Sequence, residues 1–168
     1  MSEKISPREV LKAKGLLKND IVAVRVDGKI VDLHTPIEAT RAEAMTPIVA
    51  SEPDGLFVVR HSTAHVMADA VERLFPGTKV TIGPAIEDGF YYDFDKPGSG
   101  FTEEDLGKIE KEMFSIINKN TPFRREVTTR DEALKLFKSM GETFKLEIIQ
   151  SVPDGEEISL YRHGDIEG

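Results

Sequence analysis

From Leu56 to Phe75 the chain sets Val58, Val59, Ala64, Val66, Met67, Ala70, Val71 and Leu74 at three- and four-residue spacing, and Pro76-Gly77 follows. That period is the signature of a helix with one buried face, and the Pro-Gly pair ends it. A helix this long, buried on one side, demands a partner surface, and the flanking signals say what kind. Strand and helix signals alternate irregularly on both sides of it, with no repeating βα rhythm. An α+β fold with a mainly antiparallel sheet is therefore expected.

Upstream, Ser6-Pro7 with Glu9 reads as a capping box opening a short helix to Leu17. Ile21–Val26 alternates as a strand, Asp27-Gly28 is a hairpin turn, and Lys29–Leu33 is the return strand. Ala44–Ala50 is a candidate last strand. Glu52-Pro53-Asp54-Gly55 reads as a polar joint, which divides the chain into a module at 1–50 and a larger domain at 51–168. Beyond the long helix, Lys79–Ile82 and Gly89–Asp95 read as strands, with Phe90, Tyr92 and Phe94 on one face of the second and Tyr91, Asp93 and Asp95 on the other. Thr102-Glu-Glu-Asp105 opens a helix with a buried stripe of Leu106, Ile109, Met113, Ile116 and Ile117. Phe123–Thr128 is a strand, Thr129-Arg-Asp-Glu132 opens a further helix, and Ile158–Tyr161 begins a final strand.

Composition narrows the function classes. No cysteine is present, so disulfides and thiolate chemistry are excluded. No apolar run reaches membrane-spanning length, and Met1–Val10 lacks the apolar stretch of a secretory signal, so a cytoplasmic protein is expected. The net charge is −8, split as +1 over residues 1–50 and −9 over 51–168. Any contact of the larger domain with nucleic acid must then be local. No Walker loop, dinucleotide fingerprint or nucleophile elbow appears, so no ATP site is expected.

His61-Ser-Thr-Ala-His65 is the sharpest chemical feature. Histidines at i and i+4 stand on one helix face with Cβ atoms roughly 5–6 Å apart, which suits a metal or a held water. A metalloprotease needs Glu after the first histidine, where this chain has Ser62, and only His34 and His163 remain as further strong ligands. Zinc at His61 and His65 is therefore disfavoured, and no cofactor is expected. Tyr91 and Asp93 share a strand face, Gly83-Pro84 can bring backbone close to a ligand, and Lys145 interrupts the apolar run Phe144–Ile149. The basic residues Arg124, Arg125, Arg130, Lys135 and Lys138 suit either phosphate contact or a solvated helix face.

Taken in order and spacing, Arg60-His-Ser-Thr-Ala-His65, Ile82-Gly-Pro84, Gly89-Phe-Tyr-Tyr-Asp93, Gly141-Glu-Thr-Phe-Lys145 and Leu160-Tyr-Arg-His-Gly-Asp165 resemble the N-terminal region of bacterial threonyl-tRNA synthetases. The first fifty residues resemble that family's TGS module, a ubiquitin-like β-grasp, here shortened at its front. The resemblance implies hydrolytic editing of seryl-tRNA(Thr), with the tRNA acceptor end as partner. His61 and His65 would place the attacking water and the terminal ribose hydroxyls. Lys145 would orient or stabilise the reacting ester, and Tyr91, Asp93 and Gly83 would contribute to the pocket wall. The family completes the site with an Asp-x-Cys-x-x-x-His segment after the position of Asp165, which this sequence lacks. The expectation is thus a fragment of weak or no activity alone, joined in its parent to the rest of the synthetase, with a homodimer left open. A non-catalytic RNA- or ribosome-associated module is the alternative.

Overall fold

The computed structural model describes residues 3–81 and 83–163. Ile82, and the Gly164-Asp165 end of the last motif quoted above, lie outside the described residues. The fold is α+β, with small antiparallel sheets, as the irregular order of signals predicts. Two compact units divide at Met1–Ser62 and Thr63–Gly168.

In the first unit, β1 (Lys4–Ile5) leads to α1 (Pro7–Ala13), β2 (Ile21–Val26), β3 (Lys29–Asp32), β4 (Ile37–Glu38) and β5 (Thr46–Val49). The capping box at Ser6 and Glu9 forms in both directions, which satisfies orphan N–H groups at the start of α1. Asp27 and Gly28 both take positive φ, at 48° and 79°, so the β2–β3 turn has the twist that a tight hairpin needs. β2 is the central strand of a sheet ordered β3-β2-β5, antiparallel throughout, while β1 pairs with β4. Val10 and Leu11 of α1 close over Ile21, Val24 and Val26 to make the core. The first unit is thus a short helix packed over an antiparallel sheet.

The residues read as a polar joint instead start the long helix, α2 (Pro53–Leu74). Proline has no N–H to leave unsatisfied and is pre-set for the first turn. The Glu52 carbonyl accepts from Leu56 N–H at 2.7 Å, and Asp54 pairs with Arg25 on β2. Gly55 is required by contact: a Cβ there would lie 1.9 Å from the Val49 carbonyl oxygen.

In the second unit, α2 continues and is followed by β6 (Lys79–Val80), β7 (Ala85–Ile86), β8 (Gly89–Phe90), β9 (Phe94–Asp95) and α3 (Glu103–Asn118). β10 (Phe123–Thr128), α4 (Arg130–Ser139), α5 (Thr143–Ser151) and β11 (Ile158–His163) complete it. The expected strand at Gly89–Asp95 is broken into β8 and β9, because β8 turns back on β7 while β9 pairs with β6. Val66, Ala70 and Val71 of α2 pack on Ile109 and Ile116 of α3. Leu106 and Ile117, expected in the buried stripe of α3, are more than half exposed, at 58% and 52%. A second cluster joins Ala133, Ile149 and Ile158. The longest pairing of this unit is the antiparallel β10–β11 ladder, from Phe123 opposite His163 to Thr128 opposite Ile158.

Two of the basic residues around β10, Arg125 and Arg130, have structural partners. Arg125 pairs with Glu157, and Arg130 donates to the carbonyls of Ile149, Gln150, Val152 and Pro153 at the end of α5. A guanidinium at a helix C-terminus meets orphan carbonyls and the negative end of the helix dipole together.

Two glycine replacements test the packing with opposite signs. Gly55→Ala should destabilise by about 1–3 kcal/mol through overpacking. Gly107→Ala, in mid-α3 with nothing near its Cβ position, should stabilise by up to about 1 kcal/mol. Urea unfolding measures both, and a stabilised Gly55→Ala protein would contradict the tight α2–β5 approach.

Candidate functional site

His61 and His65 stand one turn apart on α2, both half-buried. At about 100° per residue, His61, His65, Asp69 and Glu72 fall within an arc of roughly 80°. Buried residues flank that arc on both sides, Ala64, Ala68 and Val71 on one and Val66 and Ala70 on the other. The polar stripe is therefore set into the packed surface of the helix rather than on its open back.

The Phe57 ring lies parallel to the His61 imidazole, at 7° and with centroids 6.1 Å apart. Burial pushes the His61 pKa below its ordinary 6.5, which favours the neutral ring near pH 7. His65 has the rings of Phe123 on β10 and Tyr161 on β11 around it, each with its centroid 6.1 Å away.

One turn beyond His65, Asp69 meets His163 from the end of β11, Oδ2 to Nδ1 at 3.2 Å. A carboxylate can only accept, so Nδ1 carries the proton, leaving Nε2 facing the Thr121 hydroxyl at 3.4 Å. His163 also stacks on Phe123, the ring that borders His65, with centroids 4.4 Å apart. Arg73 grips Asp69 in a two-point pair at 2.6 and 2.9 Å and reaches Glu112 at 3.5 Å. Sequence reasoning treated His163 only as a spare metal ligand and passed over Asp69. The spacing of His61, His65 and Asp69 at four-residue steps was the signal that would have found it.

Lys145 lies in the first turn of α5. Its Nζ is 3.5 Å from Glu142 Oε2 and 5.3 Å from the centre of the Phe137 ring. Glu72 of α2 belongs to the same cluster. Desolvation raises its carboxyl above the ordinary range, the Lys145 charge opposes that shift, and Glu142 and Asp69 add to it. Lys145 thus meets α2 two turns past His65, roughly 10 Å along the helix axis.

Of the tyrosine motif, Tyr91 and Asp93 face solvent. Tyr92, between them, stacks on Phe94 at 4.7 Å. Burial, with Glu72 and Glu142 behind it, pushes its phenol up to about 12. Gly83 is the seat for that ring: a Cβ at Gly83 would lie 2.1 Å from it. Among the described residues no group of three or more His, Cys, Asp or Glu side chains could hold a metal ion. His34 lies on an exposed turn, where its N–H donates to Asp32 at 2.8 Å. No described helix is long and apolar enough to cross a membrane.

The lowered pKa of His61 has a consequence for stability. Below 6.5 the unfolded chain takes up a proton that the folded chain resists. The contribution of neutral His61 is therefore complete above 6.5 and is lost as pH falls through the lowered folded value. Wild type should lose stability relative to His61→Gln over that acidic window, as measured by urea unfolding at stepped pH. A constant difference would contradict the buried neutral ring.

No family model matches the chain. It is 53% identical over 162 residues to the threonine–tRNA ligase of Oleidesulfovibrio alaskensis, a match that covers 95% of the chain and 25% of that protein. The threonine–tRNA ligase of Thiobacillus denitrificans is 53% identical over 145 residues, covering 86% of the chain and 22% of that protein. That of Phenylobacterium zucineum is 45% identical over 148 residues, covering 88% and 22%. The chain spans about a quarter of the length of these curated relatives. Identity at this level along nearly the whole chain makes it a homologue of the N-terminal region of bacterial threonine–tRNA ligases.

Proposed function

We propose that this chain carries an editing site that hydrolyses the ester of seryl-tRNA(Thr) and belongs to a threonine–tRNA ligase of protein biosynthesis. Serine lacks one methyl group of threonine, a difference worth only about 1–3 kcal/mol to a binding pocket. An enzyme that charges threonine therefore benefits from a second site that removes serine. The reading rests on one observation above the others: two histidines one turn apart in a stripe flanked by packed residues, the first of them held towards the neutral form.

A neutral imidazole can take the proton of a water as its oxygen attacks the ester carbonyl. The tetrahedral oxyanion that forms collapses by expelling the terminal ribose oxygen, which takes up a proton. Serine and free tRNA leave. In this reading His61 and His65 hold the water and the ribose hydroxyls, and the Lys145 ammonium answers the developing negative charge. Tyr91, Asp93 and Gly83 remain pocket-wall candidates, and the acceptor end of tRNA(Thr) is the partner. The negative balance of residues 51–168 limits RNA contact to a local patch. Two imidazoles and an ammonium can fill these roles without a bound metal.

Deacylation of seryl-tRNA(Thr) and threonyl-tRNA(Thr) tests the proposal. It is measured with the chain alone, and with the chain extended by the Asp-x-Cys-x-x-x-His segment. The serine ester should be lost selectively, chelator should leave the rate unchanged, and His61→Ala/His65→Ala should lower it by about 100-fold or more. Equal loss of both esters, or a double variant as fast as wild type, would refute the assignment. RNA binding without hydrolysis in either form would favour a non-catalytic module.

A further inference from the structure

The loop before α5 does something unusual for a helix start. Gly141 takes φ of 75°, turning the chain so that Glu142 becomes the N-cap of α5. Side chains that cap helices are normally Ser, Thr, Asp or Asn, accepting from the N–H groups of the first turn. The other capped helices of this chain follow that rule, at Ser6, Thr102 and Thr129. Glu142 makes no such bond. Its Oε2 is instead buried without a hydrogen-bond partner, and the cation beside it is Lys145, 3.5 Å away. A buried carboxylate oxygen that neither caps a helix nor accepts a full hydrogen bond costs stability. The arrangement makes sense if its work is done on Lys145.

The surroundings agree. Lys145 also lies over the Phe137 ring, 5.3 Å from its centre. Glu72 approaches from α2, so the ammonium has carboxylates on two elements and an aromatic face on a third. A lysine side chain has three or more free rotors, and a functional ammonium must be held near one place to act on one atom. Glu142 gives up the capping of its own helix and supplies that restraint.

We infer that Glu142 is a positioning residue for Lys145, holding its ammonium where the proposed ester reaction needs it. The inference rests on the function proposed above for its kinetic part and on the ion pair alone for its structural part.

Two readouts on the full chain separate them. The first is the 13C relaxation of the lysine Cε groups, with the Lys145 signal assigned through Lys145→Arg. Glu142→Gln keeps the shape and loses no cap, so the fold should survive, as its melting temperature will show. In wild type the Lys145 Cε should be more ordered than surface lysines, and in Glu142→Gln it should become as mobile as they are. The second readout is seryl-tRNA(Thr) deacylation. Glu142→Gln should lower kcat roughly tenfold or more at unchanged KM, Glu142→Asp should recover part of the loss, and Glu142→Gln/Lys145→Ala should be no slower than Lys145→Ala.

A Lys145 that is equally mobile in both proteins overturns the inference, as does a Glu142→Gln protein that hydrolyses at the wild-type rate. If wild type shows no hydrolysis either alone or extended by the Asp-x-Cys-x-x-x-His segment, the proposed function fails, and the relaxation result alone decides whether Glu142 holds Lys145.

Discussion

The second unit depends on the close packing of α2 against α3 and the strands beside it. Ala70 and Val71 are fully buried, with Ala64 and Val66 nearly so. Full burial of a single valine is worth about 1.5–3 kcal/mol, and several small side chains together let neighbouring elements approach the helix closely. That approach gives His65 its aromatic surroundings and brings Asp69 within reach of His163. The apolar residues on either side of the polar stripe of α2 fix the helix rotation.

Burial also sets the electrostatics of this region. It leans His61 to its neutral form, while Glu72 is pushed towards protonation and Tyr92 away from ionisation. All three shifts have desolvation as their first cause, and at Glu72 and Tyr92 nearby charges modulate it. The acidic surplus of the larger domain is therefore no uniform coat. Part of it, at Glu72 and Glu142, is arranged around Lys145, and part, at Glu126 and Glu157, is tied to arginines on the β10–β11 ladder.

Much of the fold was legible because local chemistry and tertiary structure agree. The capping boxes at Ser6, Thr102 and Thr129 and the Asp27-Gly28 turn are short-range signals, and nothing distant overrides them. The readings that failed depend on distant partners. Pro53-Asp54-Gly55 looks like a joint until Val49 and Arg25 are placed beside it. Gly89–Asp95 alternates well enough for one strand, but β6 and β7 lie in different places and divide it. Leu106 and Ile117 have the right helical period for a buried stripe, yet the surface opposite α3 ends before it reaches them. At the site, the histidine spacing and Lys145 could be read directly. The Asp69–His163 pair could not, since its members are 94 positions apart and their encounter needs the β10–β11 ladder.

The proposed editing reaction requires His61 and His65 to face one ligand together. The chain has four histidines, so its labelled 13Cε1–1H spectrum is simple enough to read residue by residue. A seryl-adenosine amide that resists hydrolysis is the ligand to add. The His61 and His65 signals should shift together with one saturation curve, while His34, on its exposed turn, stays in place. Movement of His34 alone, or four stationary signals at saturating ligand, would contradict it.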